Sequence, residues 1–468
     1  MNKHRDGFHE IWRQTRLTLK VGAPIVAAQL VQMAMGVVDT IMAGRLSARD
    51  LAAVGVGGSL YAPLLLFVMG LLMGVNPVVA QLHGAGERER IGRKVWQVLW
   101  LGLGAAIPVF FMYRNMSIVF VSVGISDDLI PVAQGYLNAL ACGLPAAFGY
   151  FALRFFHEGL TISKPSMYFA VVGLFVNILA NWVFMYGHWG FPALGAVGTG
   201  WATALVQWVM FGGMLVFTFR RKNERRFHIY QGFDRPRWQF QRHILHVGLA
   251  NGLSICIEVS MFATVALIMG SIGTKTVAAH QVTINFAAFT FMIPLGLSFA
   301  TTARVGFAIG RNDLAQARMI GFIGAALSFA VMTCTAAMMI SQPEMIARFY
   351  TEDRDVLNIA AGLIVLAGAF QISDGLQVAG FGALRGLKDT KVPVIVNVIS
   401  YWLIGLPCGY LLGMHFGLGA RGLWLGLTAG LSVAAILHNY RFHKLTHAFG
   451  NKRFSTRRNT ERATEKTA

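Results

Sequence analysis

Three acids stand in stretches that otherwise hold almost no charge. Glu258 is the one acid in the run His246–Gly270, HVGLANGLSICIEVSMFATVALIMG. Read as a helix at about 1.5 Å per residue, this run puts Glu258 roughly 18 Å from either end. A bilayer core is about 30 Å thick, so the acid falls near its midplane. Holding a charge there costs about 2.5–3.5 kcal/mol or more. Such a residue handles an ion or a substrate, or else stays neutral as a hydrogen-bonded link between helices. Asp374 repeats the pattern, with Gln371 and Gln377 three residues to either side. Asp39 lies in the outer part of the first apolar run, with Gln32 seven residues earlier on the same helical face. Asn177 and Asn181 form an i,i+4 pair on one face of a later run. Glu258 itself has Ser254 and Asn251 on its stripe, and Asn285 and Asn397 stand in other apolar runs. Carboxylate, amide and hydroxyl oxygens are hard donors. They suit Na⁺, and a carboxylate can equally take a proton.

The elements that must position these residues are membrane helices. The chain has 468 residues, of which 55% are hydrophobic and 13% charged. A soluble protein carries about 25% charged residues. Twelve apolar spans follow one another between Leu17 and Phe442, which predicts an all-α polytopic membrane protein. The first, Leu17–Ala43, is too long for the apolar part of a cleaved signal peptide, so it is expected to remain. The four cysteines fall far apart within apolar spans and make neither a CxxC nor a metal-binding spacing.

A net charge of +19 invites a nucleic-acid reading, and its distribution rejects it. Only seven of the 40 Lys and Arg fall in the odd-numbered loops: Arg45, Arg49, Arg114, Lys275, Arg348, Arg354 and Arg421. The rest fall in the termini and even-numbered loops or at the ends of the spans that adjoin them. This is the positive-inside pattern. It places both termini in the cytoplasm and Asp353 outside. The basic residues then face anionic lipid.

The chain is an internal duplication. A shift of 226 residues lays Gly22 on Gly248, Gln32 on Glu258, Met35 on Met261, Gly44 on Gly270, Gly70 on Gly296 and Gly84 on Gly310. Six spans per half is an even number, so both halves enter the membrane from the same side, as parallel repeats. The expected organisation is a cytoplasmic segment 1–16, an N-lobe 17–219, a cytoplasmic linker 220–242, a C-lobe 243–444 and a basic tail 445–468 expected to be disordered.

Catalytic motifs are absent. His157-Glu158 begins an HExxH, but Thr161 stands where the second His is required. Gly273-Thr-Lys-Thr276 has the end of a phosphate-binding loop without its upstream glycine, on the outer side. No nucleotide-binding domain is visible, so neither ATP-driven transport nor an enzyme is expected.

Several motifs together resemble the multidrug and toxic compound extrusion (MATE) family, in its NorM-like bacterial branch. They are Val37-Val-Asp-Thr-Ile-Met-Ala-Gly44, Cys256-Ile-Glu-Val259, Ala278-Ala-His-Gln281, Ser373-Asp-Gly375 and Gly382-Ala-Leu-Arg-Gly-Leu-Lys-Asp-Thr390. The resemblance runs from about Leu17 to Lys444. It implies two six-helix lobes around a central cavity and cation-driven export of amphipathic, often cationic drugs and dyes by alternating access. It implies that Glu258 and Asp374 share a cation site, holding Na⁺ if the coupling ion is sodium. It implies that Asp39, with Asn177 and Asn181 nearby, forms a proton or substrate site in the first lobe. It links Asp353 to substrate contact. One departure is Phe291, where some members carry a Tyr. The coupling ion is left open between Na⁺ and H⁺, no cofactor is expected, and a monomer is expected. Two other classes stay open: a flippase for a lipid-linked sugar, and an integral membrane enzyme.

Overall fold

In hydrocarbon a backbone can satisfy its N–H and C=O groups only within helices or closed barrels, and runs of this length close on themselves as helices. A computed structural model describes the backbone of residues 2–220 and 234–465 and the side chains of residues 7–220 and 234–447. Most of the expected linker, 221–233, lies outside the described residues. The first half holds α1 (Asn2–Leu46), α2 (Ala48–Met73), α3 (Val75–Gly84), α4 (Arg88–Arg114), α5 (Ser117–Val123), α6 (Ile130–Gly159), α7 (Lys164–Tyr186) and α8 (Ala196–Arg220). The second half holds α9 (Trp238–Ile272), α10 (Thr274–Gly310), α11 (Leu314–Ser341), α12 (Pro343–Arg348) and α13 (Arg354–Gly386). It closes with α14 (Lys391–Asn397), α15 (Leu406–Tyr410) and α16 (Ala420–Glu465). Among the described residues, twelve stretches are long and apolar enough to cross a membrane. No strand occurs among the described residues.

Prolines explain the breaks. Pro77 has no N–H for the Met73 carbonyl, and its ring crowds that carbonyl. The second span accordingly stops at Met73 and restarts at Val75. Pro407 cannot bond the Leu403 carbonyl, and the eleventh span is wound as π-helix over Val398–Gly405 and again over Leu411–His415. Turns are held by caps. Ser47 starts α2 by accepting from the Asp50 N–H at 2.9 Å, and Asp50 in turn accepts from the Ala196 N–H at 2.7 Å to start α8. Gly195, at φ 57°, is required there: a Cβ would stand 2.4 Å from the Asp50 carboxylate.

The duplication is written into the backbone as well as the residues. Left-handed residues recur at matching turns: Gly86 and Asn312, Thr161 (φ 61°) and Lys388 (φ 62°), Gly195 (φ 57°) and Gly419 (φ 56°). The short helix α5 recurs as α12. The fold is two six-helix lobes related as parallel repeats.

Packing divides the chain into two compact units. One, here the Asp39 unit, comprises Ala23–Val79 and Glu87–Cys256. The other, the Glu258 unit, comprises Met1–Gly22, Ala80–Gly86 and Ile257–Ala468. The dividing points fall inside α1 and α9, not at the ends of the expected lobes. In the Asp39 unit α6 packs on α2, α4 and α8; in the Glu258 unit α13 packs on α10, α11 and α16. Every residue from Ala146 to Gly159 and from Gln377 to Gly386 is buried. A helix covered all round in this way must pair any charge it carries. Residues 2–16 are part of α1, and α16 runs from Ala420 to Glu465.

Candidate functional site

In the Asp39 unit, α1, α7 and α8 meet around one carboxylate. Asn177 donates to Asp39 Oδ1 at 2.9 Å and Asn181 to the same oxygen at 2.6 Å. Thr203 of α8 donates to Oδ2 at 3.5 Å. The two amides are one turn apart, which lets them converge on a single oxygen. Both Asn side chains are buried, and their carbonyl oxygens find no hydrogen-bond partner among the described residues. Buried polar atoms are rarely left so. Two amide carbonyls beside a carboxylate make a set of hard oxygens suited to a small cation or a protonated group.

Gln32 does not join this pocket. Its Oε1 accepts from Arg154 Nη1 at 3.0 Å, while Arg154 Nη2 donates to Gln29 at 2.6 Å and Nε to Glu158 at 2.8 Å. Arg154 and Glu158 are essentially without solvent exposure. The sequence count of membrane acids, with Asp39, Glu258 and Asp374 alone, therefore needs correction by one: Glu158 is buried on α6, not in a loop. The pair has a signal, its i,i+4 spacing, but it lies past the point where the apolar run of the fourth span gives way to Arg154. Arg304 and Arg385, also counted as loop charges, are buried too. Arg304 binds Gln14 and Thr18, and Arg385 donates to Ser298 at 3.0 Å beneath the Phe381 ring.

In the Glu258 unit, the Glu258 carboxylate of α9 stands within electrostatic reach of Asp374 on α13. Asp374 is buried, as are Gln371 and Gln377. Gln371 donates to the Ala287 carbonyl (3.0 Å) and to Thr290 (2.6 Å), which ties α13 to α10. Gln377 donates to the phenol of Tyr401 at 2.7 Å. Tyr401 is placed by the π-wound turn, in which the Leu406 N–H bonds the Tyr401 carbonyl five residues back. Its neighbour Trp402 donates to the Ile257 carbonyl at 3.3 Å, pinning this turn to the residue before Glu258. Asp374 Oδ1 and the amide oxygens of Gln371 and Gln377 have no hydrogen-bond partner among the described residues. No three His, Cys, Asp or Glu side chains converge among those residues. The set is two carboxylates with neutral oxygens, the chemistry of a weakly held monovalent ion or a proton.

Asp353 belongs to neither pocket. It caps α13, accepting from Asp355 N at 2.8 Å and Val356 N at 3.3 Å. The backbone N–H groups of Val356 and Asp355 hold its carboxyl below the ordinary range. The cap is therefore intact near neutral pH and is lost as pH falls through the depressed folded value. Thr203 and Tyr401 were missed by sequence reasoning. Tyr401 lies in the π-wound stretch after Asn397, so α-helical spacing did not give its face; Thr203 is one hydroxyl among many and had no signal.

With the geometry in place, comparisons decide the family. The MatE family model matches residues 24–183 and 251–411, one block in each half. The chain belongs to the MatE family. Among MatE relatives, it is 38% identical over 433 residues to Multidrug resistance protein NorM of Aliivibrio fischeri, covering 92% of this chain and 94% of that one. It is 41% identical over 432 residues to Multidrug resistance protein MdtK of Yersinia pseudotuberculosis, covering 91% and 94%. A solved outward-facing multidrug resistance MATE transporter superposes with a TM-score of 0.85 at 21% identity, over 94% of this chain and 97% of that one. That likeness concerns the fold.

Proposed function

We propose that this protein is a cation-coupled multidrug exporter of a bacterial inner membrane, with both termini in the cytoplasm and no use of ATP. Amphipathic, often cationic drugs and dyes are its substrates, and it works as a monomer by alternating access of two lobes. The names of its NorM and MdtK relatives support the substrate class. The observation that carries the coupling is the Glu258–Asp374 pair, one half-buried and one buried carboxylate within reach of each other among neutral oxygens. Two such groups cannot both stay charged without a counter-charge. A Na⁺ ion supplies it through hard oxygen ligands, and a proton supplies it by neutralising one acid; sodium is the favoured reading. The membrane potential adds about 2.3 kcal/mol per inward charge per 100 mV. Occupancy shifts the balance between outward- and inward-open states because the ion binds the two differently.

Asp39 forms the second site. Its carboxylate, fixed by Asn177, Asn181 and Thr203, takes a proton or the positive end of a drug. Gln32, engaged by Arg154, acts as part of the support for that lobe. Asp353 sits at the outer end of α13, where a cationic drug leaving the protein would meet an acid held ionised.

Dye efflux from de-energised vesicles, started by either a Na⁺ jump or a pH jump, tests the reading. Efflux that follows Na⁺ supports sodium coupling. Efflux that ignores Na⁺ and follows pH assigns the pair to protons. Unchanged efflux in the Glu258→Gln, Asp374→Asn double variant removes the pair from the mechanism.

A further inference from the structure

One cavity lies apart from both carboxylate sites. It measures about 130 Å³ and is lined by Arg90, Arg93, Lys94 and Gln97 of α4 and by Asp234 and Arg237 at the entry to α9. Four cations face one acid. Asp234 is already engaged: Oδ1 accepts from Arg237 Nε at 3.1 Å, and Oδ2 from Gln97 at 3.2 Å. Arg90 is paired with Glu87 at 2.7 Å. Among the described residues, Arg93 and Lys94 have no carboxylate partner. The Lys94 ammonium lies 3.4 Å from the centre of the Phe240 ring. An aromatic face steadies a cation but leaves its charge in place.

The wall of the cavity is built, not frayed. Gln97 is 1% exposed and binds the entering chain at two points, accepting from Arg237 N (2.8 Å) and donating to the Arg235 carbonyl (2.7 Å). Gln241 donates to the Gln97 carbonyl at 2.8 Å, and Trp100 donates to the Asp234 carbonyl at 3.1 Å. These bonds fix the backbone of residues 234–237 against α4, and the Arg90, Arg93 and Arg237 side chains extend from it exposed. Guanidinium groups present paired N–H donors, the geometry that matches phosphate oxygens.

We propose that this cavity binds the phosphate group of an anionic membrane lipid. Both helices that form it are long and apolar enough to cross a membrane, and the cavity lies at their polar ends, where the charge pattern of the sequence puts the cytoplasmic headgroups. Trp238, the first residue of α9, is 70% exposed beside it, as expected of an indole anchored in the interface. The surplus of positive charge draws anionic lipid toward this end of the protein. A free phosphate ion offers the same oxygens, so the test must separate the two sources.

The protein is reconstituted in phosphatidylcholine vesicles carrying a trace of spin-labelled phosphatidylglycerol or spin-labelled phosphatidylcholine. The immobilised fraction of each label gives the protein's preference between the lipids. The expected result is a preference for phosphatidylglycerol of about fivefold per charge contributed. The preference falls in the Arg93→Gln, Lys94→Gln double variant, by about fivefold for each charge removed, and survives in the charge-conserving Arg93→Lys, Lys94→Arg variant. The second variant also shows that loss in the first is a charge effect and not misfolding. Equal immobilisation of both lipids by the unaltered protein overturns the proposal. So does a preference that the double variant leaves unchanged. In a parallel arm, inorganic phosphate is added to the protein in pure phosphatidylcholine vesicles and the melting midpoint is read. A rise with phosphate, without any lipid preference, assigns the cavity to a soluble anion and overturns the lipid source.

Discussion

Asp39 is held by three donors from two other helices. Asp39→Asn keeps the size of the side chain and removes its charge. The variant is expected to fold and express normally and to export less, by about 5- to 150-fold if the acid carries a usual coupling free energy. Drug-resistance titres set against membrane protein levels check this; full resistance would reduce Asp39 to packing. Arg154 gives the opposite signature. Arg154→Met leaves Glu158 buried without its partner, which costs about 3–5 kcal/mol. A lower melting midpoint in detergent is expected, and Glu158→Gln in the same chain should recover part of it. The three acids and two asparagines were legible because charge and amide stand out in an apolar run. Arg154, Glu158 and Tyr401 were not. The first two lie past the point where hydropathy ends the fourth span, although burial continues to Gly159. Tyr401 reads as an ordinary membrane aromatic until its π-wound turn places it over Gln377.

Helix count and order were readable, since each span is long and charge-poor. The breaks at Gly74 and along the eleventh span were not, even with Pro77 and Pro407 in view, because a proline permits a kink, a break or a rewound turn. Close approach of helices was only suggested by small residues. At Gly84 the need is concrete: a Cβ would lie 2.0 Å from the Phe307 carbonyl oxygen. Gly84→Ala is expected to destabilise by about 1–3 kcal/mol through overpacking of α3 on α10. Gly104 in α4 has nothing within 4 Å of a built Cβ. Gly104→Ala should be neutral or stabilising by up to about 1 kcal/mol, from helix propensity alone. Melting curves of the two single variants separate the effects; equal midpoints would contradict the α3–α10 contact.

For the molecule as a whole, single cysteines in a chain freed of its own four test the topology. A cysteine at Asp353 should react with an impermeant reagent from outside, and one at Asn312 only after the membrane is breached. The reverse pattern would invert the protein. The positive-inside reading stays legible even though Arg154, Arg304 and Arg385 proved to be buried structural cations, because the exposed residues carry the same bias without them.

The two units do not follow the order of synthesis. Met1–Gly22 belongs with Ile257–Ala468, fastened through Gln14 and Thr18 to Arg304. Trp238–Cys256 belongs with the first-made unit, fastened through Gln241 to Gln97. A ribosome that has delivered the first six spans has therefore finished neither unit. The nascent half waits at the translocon with the start of α1 unclaimed and the α9 side of its own packing unfilled. Maturation is tied to the arrival of later spans, and a transcript truncated at the linker should yield a half that quality-control proteases remove quickly. Supplying the missing half in the same cell would shelter both.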